Sequence, residues 1–205
     1  MITISYAVTV CNEIQEIQRL IPFLEQHMKE TDEIVIQYDR TSVTDEVTKY
    51  LDLVSQSHRV IGSPLNNDFS RFKNNLSKHC KGDYIFQIDA DEIPNESLMQ
   101  NIHSVIEDND VDLLYVPRVN TVEGLTEQHI QKWGWKVDKD GWVNFPDYQS
   151  RIYRNNKNIR WINKVHEQII GFKTFSKLPS YEELSLYHPK QIERQEKQNE
   201  FYSKI

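Results

Sequence analysis

The chain has 205 residues, a formal net charge of -7 and a pI near 5.5, with two cysteines, Cys11 and Cys80, far apart in sequence. This length supports one sizeable core without requiring a second domain. The acidic balance gives no basic field for unspecific binding to nucleic acid, and nucleic acid is not an expected partner, though a local basic patch could hold phosphate. The cysteine spacing indicates neither a zinc site nor a disulfide framework. MITISYAVTV at the N-terminus lacks a basic leader, and no apolar run approaches the ~20 residues of a membrane span. The expectation is a cytoplasmic protein with no transmembrane segment, peripheral contact with a membrane being left open.

Ile2 to Val10 is short, apolar and rich in β-branched residues, which predicts a buried strand that Cys11-Asn12-Glu13 breaks. Ile14, Ile17, Leu20, Ile21, Leu24 and Met28 then recur on one helical face, with Pro22 the point where the helix should kink or weaken. A second strand over Ile34, Val35 and Ile36 ends in Asp39, and Ser42 with Asp45 resembles a capping box for an amphipathic helix of Val47, Tyr50, Leu51 and Val54. Arg59 to Ile61 gives a third strand stopped by Gly62-Ser63-Pro64. The next helix, opened by Asn67 or Asp68, has Phe69, Phe72, Leu76 and Cys80 on its apolar side and Arg71, Lys73 and Lys78 on the other.

Tyr84, Ile85, Phe86 and Ile88 predict a fourth buried strand, which ends in Asp89, Asp91 and Glu92. Crowding three carboxylates at a strand end is costly unless a cation sits there, and magnesium is usually held by one or two carboxylates plus substrate phosphates. The alternative is a solvated turn into a helix that Asn95 caps and Leu98, Ile102, Val105 and Ile106 line, followed by a strand over Leu113 to Val116. This alternation predicts an α/β fold with a mostly parallel sheet, whose ligands collect beyond the carboxyl ends of the strands. Asn12, Glu13, Asp39 and Asp89 fall there.

After Arg118 the pattern changes. Asn120 to Tyr148 reads as a long ordered loop with a helical turn near Leu125 to Lys132, its Trp133, Trp135 and Trp142 able either to stack on sugar faces or to cap the sheet. Gln149 to Tyr153 and Ile159 to Ile170 predict a hairpin joined across Asn155-Asn156-Lys157-Asn158, with Arg151, Arg154 and Arg160 solvated on its faces. Lys190 to Ile205 predicts a helix with a thin apolar face of Ile192, Phe201 and Tyr202.

Four stretches, VTVCNE at 8–13, IVIQYDRTSVTDEV at 34–47, DFSRFKNNLSKHCKGDYIFQIDADE at 68–92 and WINKVHE at 161–167, together resemble the nucleotide-sugar glycosyltransferases of the GT-A fold, specifically family 2 and its short bacterial or viral members. The likeness is close over residues 2–120 and looser beyond. It implies a Rossmann-like, mostly parallel central sheet flanked by helices, with a C-terminal β-hairpin and helix. It also implies one domain over 1–205, divided into a nucleotide-binding half, 1–120, and an acceptor-side half, 121–205. Carried over by position, Thr9 and Glu13 would line the nucleoside pocket, Asp39 would accept the N3–H of a uracil or thymine, and Asp89 would touch the ribose. Asp91 would bind the Mn2+ or Mg2+ that bridges the diphosphate. Lys73 stands beside Asn74 where many relatives have an arginine, and a lysine cannot form the bidentate fork with phosphate. Tyr38-Asp39-Arg40-Thr41-Ser42 also departs from the Asp-Asp-Gly-Ser of relatives, leaving the base contact to Asp39 alone.

Sugar transfer needs neutralisation of the leaving diphosphate and a base for the acceptor hydroxyl. Glu167 is the expected base by its match to a Val-His-Glu motif, with a structural acid as the rival. His166 and His188 are candidate phosphate or metal contacts or ordinary structural histidines. The implied partners are a nucleoside-diphosphate sugar and a glycan, lipid-linked or protein acceptor. The rival functions are an inactive sugar-nucleotide or glycan-binding module and a nucleotidyltransferase, although VTVCNE lacks the glycine-rich phosphate loop of the latter. A zinc hydrolase fails because no second histidine follows His166-Glu167 at the required spacing.

Overall fold

The structure, a computed structural model, describes residues 2–202. The first half alternates as expected: β1 (Ile4–Val10), α1 (Ile14–His27), β2 (Glu33–Asp39), α2 (Asp45–Val54), β3 (Arg59–Ser63), α3 (Phe69–Ser77), β4 (Tyr84–Asp89), β5 (Ile93–Pro94) and α4 (Glu96–Asn109). Then follow β6 (Leu113–Val116), β7 (Arg118–Glu123), α5 (Glu127–Trp133), β8 (Gln149–Arg154), β9 (Arg160–Ile162), β10 (Gln168–Ile170), β11 (Phe175–Lys177), β12 (Leu186–Gln191) and α6 (Ile192–Tyr202). α1 runs through Pro22 to His27. The side chains of Phe201 and Tyr202 lie outside the described residues.

A seven-stranded sheet of order β11-β6-β8-β4-β1-β2-β3 forms the centre. β1, β2, β3 and β4 are mutually parallel, as are β6 and β11, while β8 runs antiparallel between β4 and β6. Strands in that position are buried on both faces, which is why β1, β2 and β4 are near-continuous apolar runs. On one face Tyr6, Val8, Ile34, Ile36, Phe86 and Ile88 pack with Ile17, Leu20 and Leu24 of α1 and Leu98 and Ile102 of α4. On the other, Ala7, Val35, Ile85 and Tyr153 pack with Leu76, Cys80, Trp161 and Ile169.

The predicted hairpin of Gln149–Tyr153 with Ile159–Ile170 does not form. β8 pairs with β4 and β6, and β9 pairs instead with β10. Ile152 and Tyr153 are both buried, on opposite faces of the sheet, and a strand that must bury both faces belongs inside a sheet. Asn155–Asn158 still turns the chain, but toward a strand that meets β8 through side chains, Trp161 Nε1 donating to the Tyr153 hydroxyl at 3.1 Å, rather than by pairing with it. A small third sheet, of order β5-β12-β7, sets β12 parallel to β7 with His188 opposite Asn120.

The helix starts follow local chemistry. Thr44, not Ser42, caps α2 by accepting the Val47 N–H, Asp68 caps α3 through Arg71, and Asn95 caps α4 through Ser97. In the long loop Trp133 packs on Trp135 with ring centroids 4.6 Å apart, and Trp142 meets Phe145 edge-on at 4.8 Å. Much of that aromatic area is therefore spent on packing.

Candidate active site

β1, β2 and β4 end side by side, and their register sets Thr9 of β1 opposite Asp89 of β4. The Thr9 hydroxyl donates to Asp89 Oδ1 at 2.7 Å, Lys73 Nζ of α3 stands 3.5 Å from the same oxygen, and Arg151 Nη2 of β8 donates to Oδ2 at 2.8 Å. Burial opposes the charge on Asp89, but Arg151, Lys73 and the Thr9 hydroxyl outweigh it and hold the carboxyl well below the usual carboxylate range.

Arg151 was expected in solvent and is instead 3% exposed. It shares the sheet face of Tyr153, two residues on, and reaches both Asp89 and Glu92 Oε1, the latter at 2.5 Å. Glu92 is wholly buried, also takes Arg118 Nη1 at 2.9 Å, and accepts the Asp89 N–H at 3.2 Å. Arg118 continues to Asp147 at 2.6 Å. The last acid of the cluster is thus the anchor of a buried ion network beneath the cleft rather than a group facing a ligand. Arg154 pairs at the surface with Asp110 and Asp112, and Arg160 is exposed.

The hairpin β9–β10 docks on α3. Asn74 donates to the Trp161 carbonyl at 2.8 Å and accepts the Trp161 N–H at 2.9 Å, and the Phe69 N–H donates to the Lys164 carbonyl at 2.9 Å. Asn74 therefore turns toward the hairpin. The clamp sets Glu167 against Lys73, whose Nζ lies 2.5 Å from Glu167 Oε1 and 4.8 Å from the centroid of the Trp161 ring. The hairpin turn holds His166 at φ 50°, a left-handed backbone that costs a non-glycine residue about 1–2 kcal/mol.

Asp91 meets a second group of side chains. His188 Nε2 of β12 lies 3.4 Å from Asp91 Oδ2, and the other ring nitrogen, Nδ1, is 2.7 Å from Asn120 Oδ1. Asn120 donates its amide N–H to Asp147 at 2.9 Å, which fixes its oxygen toward the histidine, so Nδ1 carries a proton and Nε2 faces Asp91. Burial lowers the His188 pKa against the pull of Asp91, which favours the neutral ring. Burial also opposes the Asp91 charge, but His188 and Arg194 prevail and hold its carboxyl well below the usual range. Glu13 accepts the Cys11 and Asn12 N–H groups at 2.7 and 3.0 Å, its carboxyl pushed up by burial.

One carboxylate and one neutral imidazole suit a hard divalent ion that takes its remaining ligands from phosphates and water. Among the described residues no cluster of three or more His, Cys, Asp or Glu side chains could enclose a metal alone. The donor set therefore fits an ion shared with a substrate diphosphate.

Asp39 is 5% exposed and its Oδ1 accepts the Thr41 N–H, the Thr41 hydroxyl and the Leu65 N–H at 3.1, 2.7 and 3.1 Å. Burial opposes its charge, but these bonds lower its pKa overall and shape the loop after β2. A cleft of about 1240 Å³ joins these groups: Thr9, Glu13, Asp39, Lys73, Asp89, Asp91, His166, Glu167 and His188 all line it, and Asn74 and Glu92 do not. Arg118, Arg151, Asn120 and Arg194 also line it and are not among the candidate residues of the sequence.

Solved structures share this architecture. S. aureus TarS 1-349 in complex with UDP-GlcNAc matches with a TM-score of 0.64 and 16% identity over 93% of this chain and 59% of that one. S. aureus TarS 1-349 in complex with UDP matches with a TM-score of 0.60 and 15% identity, over 92% of this chain and 60% of that one. The chain thus spans about 60% of the length of those structures, and at these identities the likeness shows the fold alone, the GT-A sheet expected from the sequence. No curated protein matches. The model of glycosyl transferase family 2 matches residues 5–181, and the chain belongs to that family.

Proposed function

We propose that the chain is a metal-dependent, inverting glycosyltransferase that moves a sugar from a nucleoside diphosphate, UDP or dTDP in preference to GDP, to a hydroxyl of a glycan, lipid-linked or protein acceptor. The observation behind this reading is one cleft that gathers Asp89, Asp91 and Lys73 at the sheet edge and sets Glu167 against them from the docked hairpin. The first is a diphosphate-side arrangement and the second a base on a different element. The UDP complexes of TarS support the choice of a uridine donor by fold likeness.

In this reading residues 1–205 act as one domain. Residues 1–120 supply the donor side, and residues 121–205 supply the base and the acceptor side together with Arg151 and His188, which reach back under the donor. Asp91 and His188 would hold Mn2+ or Mg2+, which when bound would neutralise the leaving diphosphate as a Lewis acid. Asp89, fixed by Thr9 and Arg151, accepts a ribose hydroxyl. Lys73 contributes a point charge to the phosphates. Glu167 takes the proton of the acceptor oxygen as that oxygen attacks the anomeric carbon from the face opposite the diphosphate, so the configuration inverts without a glycosyl-enzyme.

Calorimetric titration tests the donor side. UDP should bind wild-type protein much more tightly with Mn2+ than with chelator, and Asp91→Ala should bind it equally weakly in both. Unchanged Mn2+ dependence in Asp91→Ala would remove Asp91 from the metal site. The same titration with GDP should give weaker binding, since in this reading Asp39 accepts the N3–H of a uracil. GDP binding tighter than UDP would overturn that assignment.

A further inference from the structure

A guanidinium already stands beside Asp91. Arg194, on the first turn of α6, donates through Nη2 to Glu13 Oε1 at 2.8 Å and through Nη1 to Glu16 Oε1 at 3.0 Å, and Nη2 lies 3.4 Å from Asp91 Oδ2. His188 approaches that same Asp91 oxygen at 3.4 Å from β12, the strand that leads directly into α6. One short segment thus brings both the imidazole and a competing cation to a single carboxylate oxygen. The side chain of Arg194 is 36% exposed and lines the main cleft, so it has room to move.

We propose that Arg194 is an internal counter-ion that competes with the divalent metal for Asp91, so that metal is admitted together with the nucleotide rather than before it. This rests on the reading of Asp91 and His188 as metal ligands. A fixed positive charge beside a carboxylate disfavours a second cation there. The contact to Asp91 is the longest of the three, so Arg194 can leave it while keeping Glu13 and Glu16 and is not stranded. A diphosphate arriving in the cleft offers the guanidinium new acceptor oxygens, and its charge also favours the incoming metal. Nucleotide and metal then reinforce each other's binding, as linkage requires.

The test is Mn2+ binding followed by the electron paramagnetic resonance signal of the free ion, with no sugar donor present and with or without UDP. Arg194→Gln should bind Mn2+ roughly tenfold more tightly than wild type without UDP, and the difference should shrink when UDP is added. Arg194→Lys, which keeps the charge, should bind as weakly as wild type without UDP. Melting curves verify that each variant is folded at the titration temperature. Equal or weaker Mn2+ binding by folded Arg194→Gln, or tight binding by Arg194→Lys, would overturn the competition while leaving the metal site intact. Mn2+ bound by neither wild type nor Arg194→Gln, even with UDP, would overturn the metal assignment and the competition with it.

Discussion

Glu167→Gln should lower turnover by ~10²–10⁴-fold while leaving donor affinity within a few-fold of wild type, because a placed base accelerates proton removal without holding the donor. The geometry sharpens the expectation. Lys73 is 4% exposed and lies between Asp89 Oδ1 and Glu167 Oε1, so a base paired this closely acts only when the lysine is drawn off it. In the proposed function the diphosphate of a bound donor does that. The glutamine, neutral and of similar shape, releases Lys73 toward the phosphates, so any change in donor affinity should be a gain. Single-turnover rates and equilibrium UDP binding on the same preparation separate the two effects. Wild-type turnover in folded Glu167→Gln would exclude the base role, and a loss confined to thermal stability would mark Glu167 as structural.

Arg151→Met should destabilise the fold by about 3–5 kcal/mol, the cost of leaving buried carboxylates without their counter-ion. For a domain of this size that is a fall in Tm of roughly 10 °C. Arg151 is the shared partner of Asp89 and of wholly buried Glu92, and Arg118 alone would be left to compensate Glu92. Adding Glu92→Leu removes the stranded charge, and the double variant should recover part of the loss, since contacting sites are not additive. Urea unfolding measures both. A single-variant loss below about 1 kcal/mol would show that the network does not support the Asp89 turn.

The parts of the fold legible in the sequence are those whose signal is local. β1, β2 and β4 are apolar runs that stop at polar residues, so both their burial and the edge where ligands collect follow from composition along a few residues. β8 is different. Its six residues, QSRIYR, alternate poorly, and whether they pair with the next strand or insert between β4 and β6 depends on partners far away in sequence. The same non-locality hid the sheet of β5, β12 and β7, where β7 lay in what read as the start of a loop. The site divides likewise. Asp89 and Asp91 are conspicuous because acids abruptly end an apolar strand. Arg151 reads as a solvated charge and Arg118 as nothing more than the end of the alternating pattern, because arginine is usually solvated and their carboxylate partners come from other elements. The one local hint was the spacing of Arg151 from buried Tyr153, which puts both on one face of the strand.

The proposed reaction transfers the sugar and releases the nucleoside diphosphate. Phosphorus NMR of wild-type protein incubated with Mn2+ and a panel of α-linked UDP sugars, with candidate acceptors and with water as the fallback acceptor, follows it directly. UDP should accumulate, Glu167→Gln should abolish most of this signal, and proton NMR of the glycoside should show a β-linkage. Release of UMP with a sugar phosphate would indicate nucleotidyl chemistry, UDP sugars bound but never consumed would indicate a binding module, and an α-linked product would contradict inversion.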